Sequence, residues 1–209
     1  MKTQARTRLA RRAVIDAAQS LFLDRGYGTT TIDAISELSD VPPATMYRLF
    51  ASKLGILKAL IDASIAGDDE PIAVADRPQV QSLLADPHPA NQLAGFVRLA
   101  AQINQRTGPT YRILVSAAAS DPDAAALLDE LTHQRQEGQA RIARSLARAG
   151  ALRSELRQQD AADIIHALMS PEVHGLLVVD RGWPAQRYES WLTQTLVDQL
   201  LPTDHQVSE

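Results

Sequence analysis

The sequence predicts an all-α protein, with a small head of three short helices followed by a larger helical body, about nine helices in total. Three observations carry this expectation. Aromatic residues make up only 4% of the 209-residue chain, while alanine and leucine abound; strands favour aromatic and β-branched residues instead. Apolar residues recur at helical spacing, and no run alternates with the two-residue period of a strand. Glycines and prolines fall where helices stop and start.

The first helix is expected over Arg8 to Arg25, where Val14, Ala17, Ala18, Leu21 and Phe22 share one face. Gly26 ends it. A second, short helix opens at Thr29-Thr30-Thr31, with Thr30 and Asp33 at capping-box spacing and Ile32 and Ile35 facing inward. Ser39-Asp40-Val41-Pro42-Pro43 makes a turn, and its prolines suit the first turn of a third helix reaching about Leu49. Ser52 caps a fourth that carries Ile56, Leu57, Leu60, Ile61 and Ile65. Residues 67–90 are the least regular stretch, starting at Gly67-Asp68-Asp69-Glu70-Pro71, with one short helix near Val80–Leu84. Helices are then expected over Asn91–Arg106, Thr110–Ala119, Asp123–Ala149 (stopped by Gly150), Gln158–Arg181 and Pro184–Leu201. Pro171 should kink the fourth of these.

Composition excludes several functions. The absence of cysteine removes disulfides, thiolate nucleophiles and cysteine-based zinc sites. His166 and His174 have no partners placed to complete a metal site, and no cofactor motif or catalytic signature appears. No apolar run approaches the roughly 20 residues of a bilayer crossing, so no membrane partner and a cytoplasmic location are expected. The net charge of −4 hides an asymmetry: residues 1–55 carry eight basic against five acidic side chains, leaving the remainder at −7. Lys2, Arg6, Arg8, Arg11 and Arg12 begin the chain. They form either a minor-groove arm or a solvated tail.

A helix, a tight turn and a second short helix within residues 8–50 make a unit able to place the second helix in a DNA major groove. The residues Ile15, Ala17-Ala18, Leu21-Phe22, Gly26-Tyr27, Thr30-Thr31-Ile32, Ile35, Val41, Thr45, Tyr47, Phe50, Ser52-Lys53 and Ile56-Leu57 follow one another at a characteristic spacing. On these residues, positions 13–57 resemble the tetracycline-repressor (TetR) family. The resemblance implies a helix-turn-helix domain at 1–52 and a helical ligand-binding and dimerisation domain at 53–209. It assigns Thr30, Thr31, Tyr47 and Lys53 to backbone phosphate. It also turns Pro42, Pro43, Ala44, Thr45 and Arg48 toward the groove. Arg48 has the fork to read guanine, or serves a phosphate; Ala44 and Thr45 are small enough to approach a thymine methyl. For Thr30 a purely capping role, for Tyr47 a partly core role and for Lys53 a solvated role stand beside these.

The chain departs from the family pattern at three places. Ser39-Asp40 replaces Ala-Gly in the turn, where aspartate adopts a left-handed conformation at some cost and brings a negative charge near DNA. Leu49 replaces a histidine or tyrosine. Leu54-Gly55 replaces an acidic pair and should weaken the cap of the fourth helix.

For the body, the resemblance implies a homodimer on a palindromic operator. Its interface would be Ile165, Leu168, Val173, Leu176 and Leu177 on one helix and Leu192, Leu196 and Leu200 on the next. Packing of these stripes within one subunit is the alternative. An effector pocket would be lined by Phe96, Leu99, Ile103, Tyr111, Leu114, Val115 and Met169, with Gln102, Arg112 and His166 as polar contacts, and would suit a small lipophilic molecule. The expected function is a ligand-responsive repressor; a DNA-binding or interaction module without a ligand, or an activator, shares the same head.

Overall fold

The computed structural model describes residues 2–66 and 74–203, and no strand occurs among them. The chain opens with α1 (Lys2–Arg25), whose inner face is Val14, Ala18, Leu21 and Phe22. Gly26, at φ +81°, closes it with a bond from its N–H to the Phe22 carbonyl (3.0 Å). The short α2 (Ile32–Ser39) starts one residue later than the Thr30–Asp33 spacing suggests. Its N-cap is Thr31, which accepts from the Ala34 N–H at 3.1 Å. Thr30 is instead buried, its hydroxyl donating to the Gly26 and Leu21 carbonyls at 2.8 and 3.3 Å. Asp40 takes the left-handed conformation (φ 54°) that ends α2.

Pro43 is the first residue of α3 (Pro43–Phe50), which drives Met46 and Phe50 into the core. The following α4 (Lys53–Ala66) buries Ile56, Leu57, Leu60 and Ile61, and the Ser52 hydroxyl caps it by accepting from the Gly55 N–H (3.0 Å). The expected irregular segment at Gly67–Pro71 lies outside the described residues. After a 3₁₀ turn at Val74–Asp76 come α5 (Pro78–Leu84), α6 (Pro89–Ala118) and α7 (Pro122–Arg148). Gly150 (φ +64°) terminates α7, with the Ala151 N–H reaching back to the Leu146 carbonyl at 3.0 Å. The chain finishes with α8 (Gln158–Leu168), α9 (Pro171–His174) running into π-helical turns at Gly175–Asp180, and α10 (Ala185–Leu200).

Two expectations about the body are corrected. The separate helices at 91–106 and 110–119 are one continuous α6 with Pro109 inside it. Proline forfeits one backbone bond. Apolar stripes on both sides of it, Leu93, Phe96 and Val97 before and Ile113, Leu114 and Ala117 after, keep each half docked. Conversely, residues 158–181 are not one kinked helix. The chain breaks at Met169-Ser170; Ser170 caps α9 by accepting from the Val173 N–H (3.2 Å), and Pro171 takes its first position. The Asn104 amide donates to the Met169 carbonyl at 3.3 Å, satisfying a group the break exposes. By length and mean hydropathy the stretch Gln158–Asp180 could cross a bilayer. It is interrupted at this break, carries Asp160, Asp163 and Glu172, and buries Ala161, Ala162 and Ile165 in the protein core.

By contacts the chain divides into Met1–Asp69 with Thr107–Glu130, and Glu70–Arg106 with Leu131–Glu209. The division therefore does not follow the expected boundary at 52/53: α4 packs with α1 and α3. On its surface Lys58 pairs with Glu130 of α7 at 3.1 Å. The second unit has its own core of Leu93, Val97, Ile142, Leu146, Ile165, Tyr188, Leu192 and Leu196.

The corner between α3 and α4 is tight. Ser52 N–H donates to the Phe50 carbonyl at 2.8 Å, and Ala51 between them sits at φ 64°, ψ −36°. This is a γ-turn in the form that is rare and strained for a residue with a side chain. The same Phe50 carbonyl fills the space beside Gly55, where an added Cβ would lie 1.8 Å from its oxygen. Glycine at 55 is thus a packing requirement. Replacing Ala51 with glycine should relieve strain and stabilise the protein by about 1 kcal/mol. Gly55→Ala should destabilise it and lower the urea midpoint, because the obstacle is backbone that cannot rotate away.

His174 is buried with its ring edge-on to Tyr188 at 5.1 Å, and burial holds its pKa below the ordinary histidine value. His166 is lowered too, first by burial and then by Arg135. Both are therefore held neutral in the fold and take up protons more readily when unfolded. Stability should be full above the ordinary histidine pKa of about 6.5 and fall as pH drops below it. Thermal unfolding between pH 8 and 5 should show this fall. His174→Phe, which keeps the ring, should make it shallower.

Candidate nucleic-acid interface

The turn between α2 and α3 is held from both sides. The Ser36 hydroxyl donates to the Val41 carbonyl at 2.8 Å, and Val41 is buried. The N–H groups of Thr45 and Met46 then bond the Pro42 carbonyl at 2.9 and 3.2 Å, starting α3 without delay. With Met46 and Phe50 buried, helical geometry turns the opposite side of α3 outward. Ala44, Tyr47 and Arg48 are exposed on that side, Pro42 is exposed just before it, and Pro43 and Thr45 are half-buried at its margins. Tyr47 is 54% exposed, which places it on the surface rather than in the core. The small Ala44 and Thr45 leave the start of this face low, while Tyr47 and Arg48 extend from it.

The other expected contacts fare differently. Thr31 is exposed at the N-terminus of α2, where a hydroxyl and free N–H groups suit an anion. Thr30 is 1% exposed and its hydroxyl is committed to two carbonyls, so it presents nothing to a partner. Lys53 turns inward as well. Its ammonium donates to the Tyr27 and Thr30 carbonyls at 2.8 and 2.9 Å and lies 4.3 Å from the centre of the Tyr27 ring. Burial lowers the Lys53 pKa, opposed by the charge of Asp121. Burial, with Asp121 and Asp123, pushes Tyr27 up to about 12.

The basic N-terminal residues from Arg6 onward lie on a helix, so they form neither an extended arm nor an unstructured tail. Arg6 and Arg8 are exposed. Arg12 pairs with Asp16 one turn away at 3.0 Å. Arg11 donates to the Leu49 carbonyl at 3.4 Å and lies 4.8 Å from the centre of the Phe50 ring, anchoring the end of α3. Sequence reasoning missed this role because residues 38 positions apart share no local periodicity.

In the body, Phe96 and Met169 are buried in the second unit's core, and Leu99 and Ile103 are half-buried. Leu114 is fully buried and Tyr111 half-buried in the first unit. Gln102 and Arg112 are exposed and Val115 is 43% exposed, which corrects their placement as pocket lining. They fall between the positions of α6 that follow its buried stripe. His166 is half-buried, with Nδ1 2.9 Å from the Gln139 amide oxygen and Nε2 3.4 Å from Arg135. Nδ1 therefore carries the proton, and Arg135 donates to Nε2. No group of three or more metal-ligating side chains gathers among the described residues.

The expected dimer stripe is also divided. Ile165, Leu192, Leu196 and Leu200 are fully buried within their own chain, so they are core and not interface. Helix α10 packs on α8 and uses its leucines there. Leu168, Val173 and Leu177 are half-buried, and Leu176 stays 51% exposed with Val179 beside it on the π-helical turns.

Residues 14–60 match the family model described as bacterial regulatory proteins, tetR family. The chain is 23% identical over 205 residues to the HTH-type transcriptional repressor BepR of Brucella suis biovar 1 (strain 1330), with 95% of each chain covered. It is 25% identical over 169 residues to the uncharacterized HTH-type transcriptional regulator YdeS of Bacillus subtilis (strain 168), covering 80% of this chain and 78% of that one. A SmeT–triclosan complex has the same fold (TM-score 0.72, 17% identity, 93% of each chain); another SmeT structure is described as the repressor of the Stenotrophomonas maltophilia multidrug efflux pump SmeDEF. With the outward face of α3 and this run of matches along the head, residues 14–60 form a regulatory head of the tetR family, and the chain is a DNA-binding transcriptional regulator.

Proposed function

We propose that the chain is a sequence-specific, ligand-responsive repressor that acts in the cytoplasm as a homodimer on a palindromic operator. The observation that carries the DNA-reading part is the α3 surface, where Ala44, Tyr47 and Arg48 are exposed opposite the buried Met46 and Phe50. In this reading Arg48 reaches a guanine edge, Tyr47 and the exposed start of α2 at Thr31 meet phosphates, and Pro42, Pro43, Ala44 and Thr45 let the helix approach. One such unit discriminates little, which favours two heads on paired half-sites. Leu176 and Val179, with Val173 and Leu177 beside them, offer the apolar surface for pairing. A triclosan complex of the similarly folded SmeT supports a small lipophilic effector, and the repressor role of the relative BepR supports repression. Effector binding would shift the population toward head positions that no longer fit both half-sites.

The test is equilibrium binding to duplexes selected by the protein from a random pool, at two salt concentrations and beside scrambled duplex. Arg48→Ala should weaken binding to the selected duplex by about 1–3 kcal/mol and relax preference at one base position. Equal affinity of the unaltered protein for selected and scrambled duplex would leave no sequence-specific reader. For the dimer, Leu176→Asp should convert the protein to a monomer in sedimentation velocity with its helical content retained. A dimer that persists places the interface elsewhere.

A further inference from the structure

Lys53 is the first residue of α4, and its charge and position alone would turn it toward DNA. Its surroundings point the other way. An ammonium has three donors. Two are committed to the carbonyls of Tyr27 and Thr30, and the Tyr27 ring lies against its positive charge. Both carbonyls belong to the connection that leads from α1 into α2. That connection contains Gly26 and Gly28 and has little regular bonding of its own. Around it, Thr30 binds the Gly26 and Leu21 carbonyls from one side, and Tyr27 packs on Phe22 at 5.4 Å. Asp121, which caps α7 by accepting from the Asp123 N–H at 2.9 Å, adds a field that favours the ammonium. Swinging Lys53 out to a phosphate would strip two carbonyls of their charged donor, and that loss is comparable to what a phosphate would supply in return.

We infer that Lys53 is a positioning residue that ties the α1–α2 connection to the start of α4, and so fixes where the N-terminus of α2 stands relative to α3, rather than a contact to DNA phosphate. The inference rests on the head being the DNA reader, and deepens that reading. Lys53 acts on DNA through Thr31 and the start of α2. Arginine in its place keeps a charge that can bind phosphate but cannot set one compact ammonium between two carbonyls over a ring.

The experiment compares the unaltered protein, Lys53→Arg and Lys53→Met in two readouts. The first is the salt dependence of binding to selected and scrambled duplexes. A positioning role predicts that both variants lose most of their preference for the selected duplex, about tenfold or more, with the slope of log affinity against log salt unchanged. A phosphate contact predicts that Lys53→Arg binds like the unaltered protein. It also predicts that Lys53→Met weakens both duplexes alike, with the slope reduced by about 0.9. That result overturns the inference.

The second readout is amide hydrogen exchange over residues 27–34, which needs no DNA. It should speed up in both variants; unchanged exchange in Lys53→Arg also overturns the inference. Failure of the DNA-reading proposal would appear separately, in the unaltered protein's own binding.

Discussion

The burial of α1's inner face beneath α2 and α4 decides where everything else in the head can go. Val14, Ala18 and Phe22 of α1, Ile35 of α2, and Ile56 and Leu57 of α4 all lie at or near zero exposure where α1 packs with α2 and α4. Each large side chain taken from water there contributes about 1.5–3 kcal/mol, so the seam outweighs any single polar contact. Two helices of eight residues are too short to persist alone. They hold because Ile35, Met46 and Phe50 give each of them a buried anchor. The outward face of α3 is the complement of that anchoring: Met46 and Phe50 must go in, so Ala44, Tyr47 and Arg48 must face out.

Charge follows a different logic from its count. The head's excess of basic residues is consistent with a DNA binder, yet two of them serve the fold. Arg11 reaches from α1 to the Leu49 carbonyl in the last turn of α3, and Lys53 gathers the carbonyls before α2. Carbonyls outside regular helices need donors, and a cation supplies stronger ones than a neutral group. The basic residues left to the surface include Arg6, Arg8 and Arg48, and of these Arg48 stands on the exposed face of α3. Net charge therefore gives only the basic excess of the head, while side-chain partners say which of its basic residues the fold already engages.

Backbone conformation adds its own constraint at the two ends of α3. Asp40 before it and Ala51 after it both have positive φ, where glycine would sit at lower cost. Asp40 belongs to the class that tolerates this region through its short polar side chain. Ala51 has no such help and is held by the Phe50–Ser52 turn, which in turn requires glycine at 55. Gly55 in place of an acidic residue thus answers a packing demand, and the cap is supplied by the Ser52 hydroxyl. Helix α3 is framed by two tight corners, and its orientation is set over very few residues.

What the sequence by itself determined follows from local rules. Helical periodicity located α1 and the inward residues of α2 and α4; Gly26 and Gly150 marked ends where a left-handed residue is required, and Pro43 marked a start. The short helices and tight turn within residues 8–50 pointed to a helix-turn-helix, and the residues quoted across positions 13–57 carried the resemblance to its family. Tertiary structure decided the rest, because neighbours distant in sequence set the balance. Packing on both sides of Pro109 carried α6 through a residue that would otherwise end it. The cap moved from Thr30 to Thr31 because Thr30's hydroxyl found carbonyls of the preceding helix and turn. The leucines of α10 suit either a dimer interface or their own subunit by sequence, and docking on α8 makes them core. Lys53 looked like a surface cation until the α1–α2 connection folded over it. Spacing along a helix says which residues share a face; only the partner of that face says whether it is core, interface or binding surface.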